Sequence, residues 1–172
     1  MARKLYWTIL ALVVCAALAF AAAPLFAFRA LAAAARDGDA QALAELIDYG
    51  AVRASLRPQL AAQARSAAPP APDIWSDPIG AVRRAIEPLQ APPPAVERYV
   101  APEGLHDLTR GYEPGKAPPS AAGRAAGLPS LRYWGPNRVR FAAHPPAAAE
   151  APAVIFTFQR RGPLAWKLVH IG

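Results

Sequence analysis

Cysteine and histidine are scarce in this chain of 172 residues. Its one cysteine, Cys15, lies inside a long apolar run, so the chain cannot form an internal disulfide and no other residue offers a thiol as nucleophile or metal ligand. The three histidines, His106, His144 and His170, lack the close spacing typical of a metal site, and we expect them to be solvated or hydrogen-bonded. The sequence therefore predicts no metal, no cofactor and no thiol chemistry.

Lysine is also rare, because most of the 19 basic residues are arginine, whereas proline (20 residues) and alanine are abundant. This combination is typical of a GC-rich coding sequence, so counts of these residue types say little about function. The formal charge of +7 alone would favour a nucleic acid or an anionic membrane as partner. However, the arginines are scattered and accompany no nucleic-acid-binding motif. We therefore expect no nucleic-acid partner.

One segment near the N-terminus determines the predicted location. Residues 5–27 contain no charge, and about 20 apolar residues suffice to cross a bilayer as a helix. Arg3 and Lys4 precede the segment, which favours a cytoplasmic N-terminus and export of the rest of the chain. We predict that residues 1–28 form a signal anchor that crosses the bacterial inner membrane once, with the C-terminal domain in the periplasm.

The same segment could instead be a cleaved signal peptide. Ala21-Ala22-Ala23 resembles a small-residue cleavage site, but Pro24 follows it directly, and the apolar run is longer than a signal-peptide core. Anchoring is therefore the favoured interpretation, and cleavage with release into the periplasm is the alternative.

Residues 29–172 predict one exported domain of the α+β class. Asp37-Gly38 is expected to end a helix, and Asp39 and Asp48 to cap the next two. Alternating apolar residues then predict an antiparallel sheet of about four strands, onto which the short helices pack. The strands are predicted at 131–134, 138–144, 153–160 and 164–171, a further helix from Asp77-Pro78, and Pro/Ala-rich links at 66–72, 90–95 and 112–127.

Several runs resemble a bacterial family of uncharacterised function, domain-of-unknown-function family 2939. They are residues 34–43, Ile47-Asp48-Tyr49, the Val100–Leu105 run and Trp166-Lys167-Leu168. The resemblance implies a membrane-anchored or secreted bacterial protein, and it supplies no catalytic residues. At the level of fold alone, helices followed by a curved sheet are similar to nuclear-transport-factor-like or cystatin-like proteins.

A concave sheet face would be the natural surface for a ligand. Tyr133, Phe156, Phe158 and Trp166 are the candidate ligand-face residues, because large aromatic side chains line most small-molecule pockets. If they surround a vacant pocket, binding of a lipid or small molecule is favoured. If helices fill the face, a protein-interaction module is favoured.

Other clusters have plainer explanations. The aspartates at positions 37, 39 and 48 could suggest a calcium site, but helix capping explains their positions. Arg53 and Arg57, one turn apart, could clamp an anion or simply face solvent. The interleaved Tyr133, Trp134, Arg138 and Arg140 are similar to a single-strand-binding pattern, but any strand with one buried face gives the same alternation.

The main hypothesis is a non-enzymatic, membrane-anchored binding or interaction module whose partner is an envelope protein or a lipid. No serine motif, glycine-rich loop or histidine-aspartate pair predicts catalysis. The alternative is a small hydrolase or isomerase of a nuclear-transport-factor-like fold. It would require an acidic residue to converge with a histidine or tyrosine in a pocket, for instance Asp48 with Tyr133 or His170.

Overall fold

A computed structural model describes residues 2–67, 79, 94–121, 126–146 and 152–172. Apart from residue 79, the helix predicted from Asp77-Pro78 lies outside these ranges, as do most of the links predicted at 66–72 and 90–95. The predicted link at 112–127 is not a featureless loop, because it contains a short 3₁₀ helix, Pro119–Ala121.

The described residues form an α+β fold, as predicted. The helices are α1 (Ala2–Asp37), α2 (Ala40–Leu46), α3 (Tyr49–Ala67), α4 (Pro94–Val100) and α5 (Pro102–Thr109). The strands are β1 (Ser130–Trp134), β2 (Arg138–Ala143), β3 (Val154–Arg160) and β4 (Trp166–Ile171). They form one antiparallel sheet in the order β1-β2-β3-β4, so every strand pairs with its neighbour in sequence.

Short polar residues divide the helices as expected. Gly38 adopts a φ of 69°, which glycine tolerates better than other residues, and α1 ends there. Asp39 Oδ1 accepts hydrogen bonds from the backbone N–H groups of residues 41 and 42, both at 3.0 Å, and so caps α2. Asp48 Oδ1 accepts from Ala51 N at 3.1 Å at the start of α3. Pro58 lies inside α3 and does not divide it.

The sheet has an apolar inner face and a polar outer face. The register places the inner side chains in two cross-strand rows, Trp134-Val139-Phe158-Leu168 and Leu131-Phe141-Phe156-Ile171. The outer side chains form the rows Tyr133-Arg140-Thr157-His170 and Arg138-Gln159-Lys167. Alternation along β2 and β3, as predicted, therefore separates a core-facing surface from a basic one, whereas β1 and β4 each contain an irregularity in the register.

Helix α1 supplies the central side chain of the core. Phe28 is 1% exposed, and its ring centroid lies 5.4 Å from that of Phe156, 5.8 Å from that of Phe141 and 6.4 Å from that of Phe158. Such edge and tilted contacts are favourable for aromatic rings. The domain boundary predicted at residue 28 falls inside this continuous helix. The apolar N-terminal helix is thus also a core helix.

Helices α2 and α3 join the other edge of the core. Asp48 N donates to the carbonyl of Leu168 at 2.9 Å, and Gln59 Nε2 donates to the carbonyl of Ile171 at 2.9 Å. Both bonds connect the helices to β4, which fixes α3 along this strand.

We expect Phe28→Ala to destabilise the fold by about 3–5 kcal/mol, because it leaves a cavity between α1 and three aromatic rings. The measurement is denaturant unfolding of the full chain in detergent micelles, followed by circular dichroism. Phe26→Ala is the matched control, since Phe26 is on the same helix but 64% exposed. The control should change the unfolding free energy by no more than about 0.5 kcal/mol. Equal effects of the two substitutions would contradict the placement of Phe28.

Candidate functional site

The four predicted ligand-face residues do not share one surface. Phe156 and Phe158 are 0% exposed, and Trp166 is 3% exposed, all on the inner face. Tyr133 lies on the outer face and is 52% exposed. The structure therefore brings three of them together in the core beneath Phe28 and separates Tyr133 from them. Ligand contact by these residues stays a prediction.

Trp166 carries the one polar feature of this inner cluster. Its indole N–H is buried and has no hydrogen-bond acceptor among the described residues. A buried donor without a partner costs about 1–3 kcal/mol, so this position is less favourable than the surrounding core.

The outer sheet face is the more accessible surface. Arg138 and Arg140 are exposed, and Lys167 is half-buried in the same row as Arg138. Only one acidic residue, Glu150, occurs from residue 128 to the C-terminus. This face is therefore positively charged, and we call it the basic sheet face, defined by Tyr133, Arg138, Arg140, Lys167 and His170.

The predicted aromatic and arginine pattern is divided between the two sides of the sheet. Tyr133, Arg138 and Arg140 belong to the basic sheet face, whereas Trp134 belongs to an inner row. Burial, followed by the charge of Arg140, lowers the pKa of His170 below its ordinary value. The basic sheet face thus favours a neutral histidine beside fixed positive charges.

A small cleft lies between α1 and α5. It has a volume of about 160 Å³ and its polar lining is Arg29, Arg36 and His106. Pockets for small molecules usually measure about 300–1,000 Å³, so this cleft is too small for most ligands. Arg36 is already paired with Asp37, with 2.9 Å between Nε and Oδ1. The sequence did not predict the cleft, because its walls are distant in sequence.

Beside the cleft, a buried ion pair organises the loop that follows α5. Arg110 is 6% exposed, and its Nη2 lies 2.6 Å from Asp107 Oδ1. Arg110 also donates to the carbonyl of Ala121, and Asp107 Oδ2 accepts from Gly115 N at 2.8 Å. Because these bonds satisfy the pair within the protein, they hold the segment 110–121 and leave the pair little capacity to bind a ligand.

Asp48 and Tyr133, one of the pairs named by the enzyme hypothesis, do not converge, whereas His170 is on β4, the strand beside which Asp48 lies. Asp48 lies beside β4, where its Oδ2 accepts from Arg161 Nη2 at 2.9 Å. Tyr133 is on β1, at the opposite edge of the sheet, and His170 is on the outer face. Three strand spacings of about 4.8 Å separate the two edges.

Arg53 and Arg57, the pair considered as an anion clamp, have different surroundings. Arg53 is engaged by Glu97 through bonds of 2.8 and 3.0 Å, and its guanidinium lies 5.3 Å from the centre of the Tyr49 ring. Arg57 is exposed on the same helix. Within the described ranges, no three His, Cys, Asp or Glu side chains lie close enough together to hold a metal ion.

Acidification should destabilise the fold in part through His106. Burial lowers the pKa of His106 below its ordinary value, and the charges of Arg110 and Arg36 act in the same direction while Asp107 opposes them. The unfolded chain therefore binds the proton more readily. The contribution of His106 is fully present above its unfolded pKa of about 6.5 and is lost as the pH falls towards its lowered folded pKa.

His106→Gln should consequently flatten the dependence of Tm on pH between about pH 7.5 and pH 5. His170→Gln should act in the same direction, and the two effects should add because the residues lie on different elements. Thermal unfolding monitored by circular dichroism in detergent micelles provides the measurement. An unchanged pH dependence in the double variant would show that neither histidine is responsible.

A family model described as Protein of unknown function (DUF2939) matches residues 13–108, which confirms the predicted resemblance. The match covers most of α1 and all or most of the other helices, whereas the sheet lies beyond it. No curated protein matches the chain, and no solved structure matches it. The similarity to nuclear-transport-factor-like or cystatin-like folds stays a prediction. Because the matched residues make up more than half of the chain, this protein belongs to the family of proteins of unknown function DUF2939.

Proposed function

We propose that this protein is a non-enzymatic interaction module, anchored in the bacterial inner membrane by α1, with its α+β domain on the periplasmic side. The observation that carries the proposal is the double role of α1. Residues 6–37 form a helix long and apolar enough to cross a membrane, and only 11% of its most apolar window is buried. The same helix continues to Asp37 and places Phe28 inside the domain core. Anchor and domain are therefore one rigid unit.

Contacts upstream of the possible cleavage site favour retention of the helix. Phe20 precedes the Ala21–Ala23 run, yet its ring centroid lies 6.3 Å from that of Trp134, and the Arg160 guanidinium lies 5.5 Å from its centre. Cleavage after Ala23 would remove these contacts from the folded domain. The buried Pro24 also sits where a signal peptidase would have to bind.

The basic sheet face is the surface that we propose for a partner. Its arginines are exposed on the strands of the sheet, and a positively charged face complements an acidic protein surface. The inner face is filled by α1, which favours protein interaction over binding of a small ligand in the sheet. The separation of Asp48 from Tyr133, at opposite edges of the sheet, supports a non-enzymatic role.

The full chain should sediment with membranes and resist extraction by alkaline carbonate, because α1 would be embedded in the bilayer. A phosphatase reporter fused after Gly172 should be active, since that enzyme matures only in the periplasm. A fusion whose α1 carries Leu12→Arg and Val13→Arg is the control, and it should lose both properties. Release of a shortened chain into the soluble periplasm would contradict anchoring.

Binding of the partner should depend on the basic sheet face. Arg138→Glu combined with Arg140→Glu should abolish cross-links to envelope proteins that the native chain forms at low salt, because it reverses the charge. Arg57→Glu combined with Arg65→Glu is the matched control, since both arginines are exposed on α3. Cross-linking followed by mass spectrometry gives the measurement. Loss of the same cross-links in the control variant, or their retention in the sheet variant, would exclude this face.

A further inference from the structure

The hairpins at one end of the sheet lie against the apolar helix. Phe20 of α1 contacts Trp134, the last residue of β1, and Arg160, the last residue of β3. These residues border the turns 135–137 and 161–165. We call these two turns with their flanking residues, 134–138 and 160–165, the hairpin end.

Arg160 links the two turns of the hairpin end. Its Nε and Nη2 donate to Asn137 Oδ1 at 3.1 and 2.8 Å, and its backbone N–H donates to the carbonyl of Asn137 at 3.0 Å. Between the turns is an open cavity of about 530 Å³ lined by residues 137, 159, 160, 162 and 163. The hairpin end is therefore held as a unit against α1.

The length of α1 determines how far this unit stands from a bilayer. Every residue of the helix from 6 to 19 is exposed, over a length of about 21 Å at 1.5 Å per residue. A bilayer hydrocarbon core is about 30 Å thick and needs about 20 helical residues. A span that begins after Lys4 therefore reaches about residue 24, beyond Phe20. Any tilt of the helix increases the number of residues needed to cross the bilayer. Phe20, against which the domain packs, would therefore lie within or beside the outer leaflet of the bilayer.

The hairpin end contains residue types that are common at a membrane interface. Trp134 is 45% exposed and Leu164 is 58% exposed, although both lie at the end of a polar domain. Arg138 and Arg161 stand beside them, with Arg161 also bonded to Asp48. Tryptophan is enriched at membrane interfaces, and arginine side chains there reach the phosphate groups of lipids.

We propose that the hairpin end docks on the periplasmic surface of the bilayer that α1 spans, with Trp134 and Leu164 in the interface between headgroups and acyl chains. Arg161, which is outside the basic sheet face, then faces lipid phosphates. The domain then contacts the bilayer surface directly and is not separated from it by a length of exposed helix. This inference depends on the proposed anchoring by α1, which the experiment below measures separately.

The test places a fluorescent NBD label at single cysteines of the full chain, reconstituted in vesicles of phosphatidylethanolamine and phosphatidylglycerol. Pro136→Cys and Leu164→Cys, each with Cys15→Ser, probe the two turns. Ser120→Cys with Cys15→Ser is the control, because Ser120 is exposed in the segment that Arg110 holds near α5, beside residues 29–36 of α1. The native Cys15, labelled in the unaltered chain, reports whether α1 is embedded.

We expect the labels at Cys15 and at both turns to emit at shorter wavelength and to be quenched by nitroxide-bearing lipids. The label at position 120 should instead be quenched by aqueous iodide. Lipid quenching at Cys15 with iodide quenching at both turns would overturn the docking inference and leave the anchor intact. Iodide quenching at Cys15 would overturn the anchoring and the docking together.

A second variant separates docking from a local effect of the label. Trp134→Gln, introduced with Leu164→Cys and Cys15→Ser, should reduce lipid quenching at position 164 although the label itself is unchanged. Circular dichroism of this variant should match that of its parent. Undiminished lipid quenching in a folded variant would show that Trp134 does not hold the hairpin end at the interface.

Discussion

The fold depends on the insertion of Phe28 into the inner face of the sheet. This single ring contacts three aromatic residues from β2 and β3, and it comes from the helix whose N-terminal half is long and apolar enough to cross a membrane. Helix α1 therefore presents apolar side chains all round in its exposed N-terminal part, and one apolar stripe where the sheet covers it. The transition lies near Phe20, after which burial becomes one-sided.

Local chemistry made the element boundaries predictable. Asp39, Asp48 and Gly38 act where the sequence placed them, because capping depends on the hydrogen bonds of one or two residues. The strands begin and end within two residues of their predicted limits, since alternation and turn residues are also local signals. The order of the strands was also predictable, because strands that are consecutive in sequence usually lie next to each other in a sheet.

Which element packs on the inner face of the sheet could not be predicted in the same way. Alternation shows that Phe156 and Phe158 share a face, but it does not show what packs on that face. Phe28 had the position expected of a membrane-interface aromatic, and the same residue type serves as a core residue. Three of the predicted ligand-face residues, Phe156, Phe158 and Trp166, therefore lie in the core, whereas Tyr133 is exposed on the opposite, basic side of the sheet.

Phe28 and the aromatic residues it contacts are more than a hundred positions apart in sequence, and this separation has a kinetic consequence. The meander of β1 to β4 consists of neighbouring strands and can pair early, whereas contact with α1 closes a long loop and comes late. With the anchoring proposed above, α1 would enter the bilayer before the sheet has been synthesised. The sheet would then complete its core against a helix that is already held at the membrane, and the final folding step would be a docking reaction at a surface.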